Sequence, residues 1–280
     1  MNAIEISDLR KNYKDFWLEI SGLVLPSGCI MGLVGENGAG KSTTSRLILN
    51  TIARDGGTVT LLGRDNREDM HLMKEDIGVV FDEVGISEAL TVKQVGNIMK
   101  YTFTQWDEEV YKDHLKRFSL SPKKRFGALS RGMKMKLGLA VALSHNSKLL
   151  ILDEPTSGLD PLARDEINDI LVEFTRDESH SVLISSHILS DLEKICDYIA
   201  FLHKGKLLLS EEKDLLKEQY GVVHLSKEDM SRIPRSAVVS MRQTVYGTDA
   251  VVRKHDIPRD IPTSPVDLEQ LFISMAKEAV

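Results

Sequence analysis

Residues 35–42 combine glycines, a lysine and a serine at a spacing suited to holding phosphate. The run Gly35-Glu-Asn-Gly-Ala-Gly40-Lys41-Ser42 fits the pattern G-x-x-x-x-G-K-[ST] in full, between an apolar strand-like segment and a helix-like segment. Such glycines let backbone N–H groups surround a phosphate at the positive end of a helix dipole. We expect Lys41 to reach the β- and γ-phosphates of a nucleotide and the Ser42 hydroxyl to bind Mg²⁺. The nucleotide-binding residues predicted here are Gly35, Asn37, Gly38, Ala39, Gly40, Lys41, Ser42 and Thr43.

A second candidate site follows about a hundred residues later, where the apolar segment 149–152 ends in Asp153 and Glu154. Neighbouring residues on a strand point in opposite directions, so the two acids can take different tasks. Asp153 suits the coordination shell of Mg²⁺, because hard cations prefer oxygen ligands. Glu154 is then placed to polarise an attacking water, a role worth about 10²–10⁴-fold in rate.

Strand-like and helix-like segments alternate around these motifs, which favours a mostly parallel α/β core. The segments expected to form strands are 3–7, 16–25, 30–34, 58–62, 77–81, 149–152 and 182–185. The expected helices are 42–53, 92–103, 107–118, 133–143 and 161–176. The order of strand-like and helix-like segments predicts a domain over 1–220, a helical subdomain inserted at about 83–143, and a small α+β extension over 221–280.

Composition excludes several classes of protein. The chain has 280 residues, 42% of them hydrophobic and 28% charged, as in a well-cored globular protein. A formal charge of −6 argues against a general nucleic-acid binder, and two cysteines cannot form a disulfide framework. No segment reaches the roughly 18 apolar residues of a membrane helix. We therefore expect a cytoplasmic protein with no nucleic-acid partner, whose contact with a membrane comes through another protein.

Together these motifs resemble those of an ATP-binding-cassette (ABC) ATPase subunit, over roughly residues 1–220. The loop of Lys41 resembles the family's Walker A motif, and Asp153-Glu154 its Walker B motif with the catalytic glutamate. The other matching segments are Tyr13 in the place of the adenine-stacking aromatic residue, 129–133 in that of the signature motif, 157–160 in that of the D-loop, and His187 in that of the switch histidine. The resemblance implies a P-loop NTPase (RecA-like) fold with an N-terminal antiparallel β region, and ATP and Mg²⁺ as ligands.

The family works as a head-to-tail pair, which implies a second ATPase subunit, either a second copy or a sibling chain. ATP would lie between Walker A of one subunit and the signature residues Ser130, Arg131 and Gly132 of the other. Asp160 would bridge the two halves. His187 would bind the γ-phosphate or orient Glu154 and its water, giving Glu154 and His187 as the catalytic residues.

Two positions depart from the family's pattern. Asp82 and Glu83 follow the segment 77–81 where the family has a glutamine that contacts Mg²⁺, so Asp82 is a third candidate metal ligand with Ser42 and Asp153. The signature reads Leu-Ser-Arg-Gly-Met, with Arg131 in the place of a glycine. We expect hydrolysis to survive both changes.

Several short strings, such as Ile77-Gly-Val-Val-Phe-Asp-Glu, resemble one bacterial branch of the family. That branch contains Gram-positive ATPases for export of antimicrobial and cytolytic peptides, including phenol-soluble-modulin exporters. The resemblance implies a separate transmembrane permease and a place on the inner face of the membrane. The apolar segment 84–90 either docks that permease or packs inside the helical insert. The alternatives are an importer subunit and a nucleotide-dependent switch acting on ribosomes or DNA.

Overall fold

A ten-stranded mixed sheet runs through the computed structural model, which describes residues 1–68, 73–81, 85–225, 232–244 and 247–278. Its strands in spatial order are β5, β4, β1, β2, β10, β9, β3, β8, β7 and β6. Their bounds are β1 Asn2–Asn12, β2 Trp17–Pro26, β3 Ile30–Val34, β4 Gly56–Leu61, β5 Arg64–Asp65, β6 Ile77–Val80, β7 Leu149–Asp153, β8 Ser181–Ser186, β9 Tyr198–His203 and β10 Lys206–Glu212.

The half of the sheet from β9 to β6 is parallel throughout. Strands β3, β7 and β8 are buried along their whole length, because helices cover both faces. Along β3, Ile30 and Val34 belong to one apolar core, whereas Met31 and Leu33 belong to the core on the other face. The carboxyl ends of parallel strands share one edge, so the residues after β3, β7 and β8 meet there.

The other half, from β5 to β10, is mainly antiparallel and contains the N-terminal strands. Strand β10 joins the two halves, pairing with β9 on one side and, in parallel, with β2 on the other. Strands β9 and β10 were not expected from the sequence, where His203, Lys204 and Lys206 break an apolar run. Lys204 and Gly205 form the turn between the two strands, and both have positive φ. The expected class, a P-loop α/β core with an antiparallel β region, is confirmed.

Eight helices are described. Their bounds are α1 Lys41–Ile48, α2 Val92–Thr102, α3 Glu108–Arg117, α4 Arg131–Leu143, α5 Pro161–Phe174, α6 Leu189–Ile195, α7 Lys213–Gln219 and α8 Leu268–Glu278. Within the described part of the chain, none of them has the length and apolar character needed to cross a bilayer. Helix α4 begins two residues before the expected start at 133, because Ser130 caps it. Helix α1 ends at Ile48, five residues earlier than expected.

Helices α2, α3 and α4 pack together within the segment expected to be a helical insert. Thr91 forms a capping box with Gln94 at the start of α2, and Asp107 caps α3. The phenol of Tyr111 on α3 donates a hydrogen bond of 2.8 Å to the carbonyl oxygen of Val92 on α2. Helix α4 lies against β6, which connects these helices with the parallel sheet.

A second sheet follows α7 and has the strand order β12, β13, β11, β14. The bounds are β11 Tyr220–Leu225, β12 Val238–Thr244, β13 Gly247–Arg253 and β14 Ser264–Pro265. Helix α8 packs on β12 and also on α6 of the main body, where the rings of Phe272 and Phe201 lie 5.3 Å apart. The division of the chain at residue 220 stays a prediction.

Candidate nucleotide site

The turn between β3 and α1 opens a cleft of about 340 Å³ at the carboxyl edge of the parallel sheet. Its lining consists of Phe16, Glu36, Asn37, Gly38, Gly40, Lys41, Ser42, Thr43, Asp153 and Glu154. The structure thus brings the two predicted motifs together, although about a hundred residues separate them. Gly35 and Ala39 of the loop are buried behind this lining.

Helix α1 starts without a side chain to cap it. Gly40 holds the N-cap position at φ 109°, and no described side chain accepts a hydrogen bond there. A Cβ atom on Gly40 would lie 2.7 Å from Cδ1 of Leu18 and 3.1 Å from Cζ of Phe16, so glycine is required. The helix therefore presents its N–H groups and its positive dipole end to the cleft, which suits an anionic ligand.

Lys41 is nearly buried and has three oxygen partners. Its Nζ donates to the carbonyl oxygens of Gly35 at 2.7 Å and Glu36 at 3.2 Å. The same Nζ lies 3.2 Å from Oε1 of Glu154, an ion pair without good hydrogen-bond alignment. The lysine is therefore held across the cleft, between the phosphate loop and the carboxylate after β7.

Glu154 stands in an unusual backbone conformation, with φ 53°. A non-glycine residue in this region costs about 1–3 kcal/mol and persists where the surroundings hold it. Here the backbone N–H of Glu154 donates to both the carbonyl oxygen and the hydroxyl of Ser185 on β8. The other side-chain oxygen, Oε2, lies 2.7 Å from Nδ1 of His187. The predicted catalytic pair is thus in direct contact, with His187 directly after β8.

Asp153 and Ser42 supply the oxygen donors that a divalent cation would need. Asp153 is buried, and the hydroxyl of Ser185 donates a short hydrogen bond to its Oδ1. Asp153 and Ser42 both line the cleft. The described residues hold no cluster of three or more His, Cys, Asp or Glu side chains that could bind a metal unaided. This sparse oxygen set fits Mg²⁺, which usually keeps waters and binds through one or two protein groups and substrate phosphates.

The aromatic residue that lines the cleft is Phe16. Tyr13, predicted to stack on adenine, is half-exposed, and its ring lies 6.4 Å from that of Phe16. Stacking by Tyr13 stays a prediction. The sequence held a signal for Phe16, since it is the second aromatic residue in the turn between β1 and β2. Ser185 was also missed, because a serine inside a buried strand carries no motif.

The signature residues lie against the D-loop of the same chain. Ser130 caps α4 by accepting a hydrogen bond from the N–H of Met133. A methyl group built on Gly132 would lie 3.0 Å from Cδ2 of Leu159, and one on Gly158 would lie 3.1 Å from the guanidinium of Arg131. Asp160 caps α5 through the N–H of Ala163. Residues 130–132 and 158–160 thus lie next to each other, and none of them lines the cleft.

One predicted metal ligand, Asp82, lies outside the described residues, as does Val84 of the apolar segment. In the rest of that segment, Ile86 and Leu90 are partly buried and pack on the main core. This packing favours the internal role for these two side chains. Both cysteines, Cys29 and Cys196, are free thiols.

The fold and the cleft define a P-loop nucleotide-binding protein, and comparison with known proteins gives its family. The family model for ABC transporter domains matches residues 18–157. A lantibiotic transport ATP-binding protein, SrtF of Streptococcus pyogenes, is 34% identical in an alignment of 217 residues that covers 75% of this chain and 91% of SrtF. The chain therefore belongs to the ABC transporter family, as an ATP-hydrolysing subunit.

Two further comparisons agree. The bacitracin transport ATP-binding protein BcrA of Enterococcus faecalis is 35% identical over 209 residues, covering 74% of this chain and 68% of BcrA. A solved structure of the ATP-binding subunit of an ABC transporter superimposes with a TM-score of 0.70 at 27% identity. It covers 78% of this chain and 92% of the other. The resemblance drawn from the motifs is confirmed.

Proposed function

We propose that this subunit hydrolyses MgATP within a head-to-tail pair of ATPase subunits, and that closure of the pair drives a separate membrane permease. The observation that supports this most strongly is the continuous contact from Lys41 through Glu154 to His187 at the mouth of the cleft. It joins a phosphate-binding cation, a general base and a titratable group at one edge of the sheet.

The phosphate loop would bind the triphosphate through its N–H groups and through Lys41. When phosphate oxygens approach Lys41, they compete with Glu154 for the same ammonium group, and this competition weakens the ion pair. Ser42 and Asp153 would hold Mg²⁺, with Asp82 as a further predicted ligand. The bound ion would supply charge neutralisation on the phosphates.

Glu154 would accept the proton of the attacking water once Lys41 has turned to phosphate. His187 contacts the second oxygen of the carboxylate, so it can hold Glu154 in one orientation while the proton moves. The side chain of His187 is 40% exposed, and we propose that it also contacts the γ-phosphate. Removal of the base should slow hydrolysis about 10²–10⁴-fold and leave ATP binding intact.

The second subunit would complete the site with its signature residues Ser130, Arg131 and Gly132. Helix α4 offers its N-terminus there, so one ATP would lie between two helix starts. Asp160, beside these residues, would form part of the contact between the two subunits. Tyr13 would cover the adenine together with Phe16.

For the cargo we propose peptides or drugs, moved outward. The names of SrtF and BcrA specify lantibiotic and bacitracin transport, and both proteins match about three quarters of this chain. The permease would hold the subunit at the inner face of the membrane. Helix α2 carries two exposed apolar side chains, Ile98 and Tyr101, that a membrane partner could cover.

The experiment is copurification from detergent-solubilised membranes of the host, with tagged Glu154→Gln protein and MgATP. We expect a polytopic membrane protein to copurify, because the variant holds ATP and stays paired. The matched control is the double variant Lys41→Ala/Glu154→Gln, which lacks the lysine that holds ATP and should lose the partner. Recovery of ribosomal or DNA-bound proteins, with no membrane protein, would contradict the transport proposal and support the switch alternative.

A further inference from the structure

The turn between β9 and β10 packs against the phosphate loop and is hydrogen-bonded to it. The N–H of Gly205 donates a hydrogen bond of 3.0 Å to the carbonyl oxygen of Ala39 in the loop. One residue before the turn, at the end of β9, Nδ1 of His203 lies 2.7 Å from Oε1 of Glu36. Neither residue is specified by the phosphate-loop pattern. Glu36 fills one of its variable positions, and His203 lies outside it.

Glu36 poses an electrostatic problem for a loop that binds phosphate. Its side chain lines the cleft and is 59% exposed, so its negative charge faces the space where a triphosphate would lie. The carboxylate and the phosphates carry like charges and repel each other. This repulsion weakens nucleotide binding unless a cation offsets it. A positive group next to Glu36 would offset this repulsion.

The other charged groups around the pair have their own contacts or face solvent. Lys41 is directed to two loop carbonyl oxygens and to Glu154. Lys206 lies over the ring of Trp17, 5.0 Å from its centroid. Lys204 is exposed, and Glu19 on β2 pairs with Arg10 at 3.7 Å. The imidazole of His203 is the group in contact with the Glu36 carboxylate.

The contact has the geometry of a charge pair. The distance is short, but the angles do not give a well-aligned hydrogen bond, and Nε2 of His203 is buried without a hydrogen-bond partner among the described residues. The pair is therefore defined by the close approach of Nδ1 to the carboxylate, and Nε2 contributes nothing to it. Attraction between an imidazolium and a carboxylate does not depend on such alignment.

We propose that His203 is a positioning residue for the nucleotide, whose imidazolium form pairs with Glu36 and keeps that carboxylate from repelling the phosphates. This inference rests on the proposal that the loop of Lys41 holds the triphosphate. It predicts that protonation of His203 strengthens nucleotide binding. The interaction depends on the cationic form, because a neutral imidazole carries no charge to offset the Glu36 carboxylate.

The test is the dissociation constant of a fluorescent ATP analogue (N-methylanthraniloyl-ATP) with Mg²⁺, measured on the full chain between about pH 5.5 and pH 8.5. At the acid end, His203→Ala should raise the dissociation constant about fivefold, the scale of a partly exposed charge pair. At the alkaline end it should have little effect. The effect should also shrink at high salt. His203→Gln, which has no charge, should behave as His203→Ala does.

Glu36→Gln is the matched control, because it removes the carboxylate and leaves the ligand's own titration unchanged. We expect it to bind the analogue at least as tightly as the wild type and to abolish the effect of His203→Ala in the double variant. If His203→Ala fails to fold, Glu36→Gln alone decides, since it should gain affinity over the wild type at alkaline pH. An equal loss from His203→Ala with and without Glu36, or a loss of affinity in Glu36→Gln at every pH, would overturn the proposal.

Lys41→Ala separates this inference from the proposed function. If Lys41→Ala binds the analogue as well as the wild type does, the loop does not hold the triphosphate and both proposals fail. If Lys41→Ala loses binding while the pair variants change nothing, only the role of His203 is wrong.

Discussion

Two helix starts in this protein are built in opposite ways. Helix α1 begins at Gly40 with no described side chain to cap it, and its first turn faces the cleft. Helix α4 begins at Ser130, whose hydroxyl accepts a hydrogen bond from the N–H of Met133. Both are proposed to bind phosphate, but α1 has no side-chain cap, whereas one N–H group at the start of α4 already donates to Ser130.

The difference teaches which half of the proposed site is preformed. An uncapped helix start leaves unsatisfied N–H groups, a cost that a bound anion can recover. At the start of α4 the Ser130 cap lowers that cost, and a phosphate would reach it only with an approaching subunit. We therefore expect α1 to bind nucleotide in the monomer, and α4 to contribute when two subunits meet.

The largest effect should come from Lys41→Ala. Loss of a charge-assisted contact to phosphate should weaken ATP binding about 100-fold, as measured by titration calorimetry on the monomer. Lys148→Ala is the matched control, because Lys148 forms a partly exposed ion pair with Asp76 at 2.9 Å. Equal affinities of the two variants would show that α1 and its loop are not the preformed half.

Gly40→Ala tests why α1 lacks a side-chain cap. The new methyl group would collide with Leu18 and Phe16 in addition to the strain at φ 109°, whereas Gly38, at φ 82°, has no described atom within 4 Å of its Cβ position. Gly38→Ala should cost about 1 kcal/mol of unfolding free energy and Gly40→Ala about 2–3 kcal/mol. Urea unfolding without nucleotide measures both. Equal costs would remove the packing argument.

Ser130→Ala and Thr91→Ala compare two capped helices. Each removes an N-cap hydroxyl and should lower the unfolding free energy by about 1 kcal/mol. The ATPase rate should fall several-fold for Ser130→Ala alone, because α4 is proposed to contact nucleotide and α2 is not. ATP affinity of the monomer should not change in either variant. A similar fall in ATPase rate for Thr91→Ala would indicate that helix stability, and not phosphate contact, explains the effect.

The smallest effect is a pH dependence of stability on the side of α4. Burial lowers the pKa of His145, just after α4, and of His114 on α3. Both pKa values are lower in the folded protein, so the unfolded chain binds more protons below about pH 6.5. The unfolding free energy therefore decreases as the pH is lowered. Hydrogen exchange at mildly acidic and neutral pH should show the loss on α3 and α4. A uniform loss over the whole chain would contradict the assignment.

His145→Gln sharpens this measurement. The imidazole stacks on Phe103 at 4.0 Å, and its Nδ1 lies 2.9 Å from the carbonyl oxygen of Glu75. Glutamine can donate to the same oxygen but does not titrate. The variant should therefore be less stable at neutral pH and lose less stability on acidification than the wild type.

Much of the fold could be predicted from the sequence, because its signals are local. Buried parallel strands such as β3 and β7 appear as short apolar runs, and the glycines and lysine of the loop 35–42 mark the turn between strand and helix. Strands β9 and β10 were missed for the converse reason. Their lysines and histidine interrupt the apolar run, and pairing with the sequence-distant strands β3 and β2 stabilises them.

The sequence by itself determined the chemistry available to this protein: the loop around Lys41, the acids Asp153 and Glu154, and His187. Each depends on residue type and spacing along one segment. The tertiary structure decided which groups meet. It placed Phe16 in the cleft and His203 against Glu36, because those contacts join strands far apart in the chain, and pairing in a sheet depends on the packing of the whole fold.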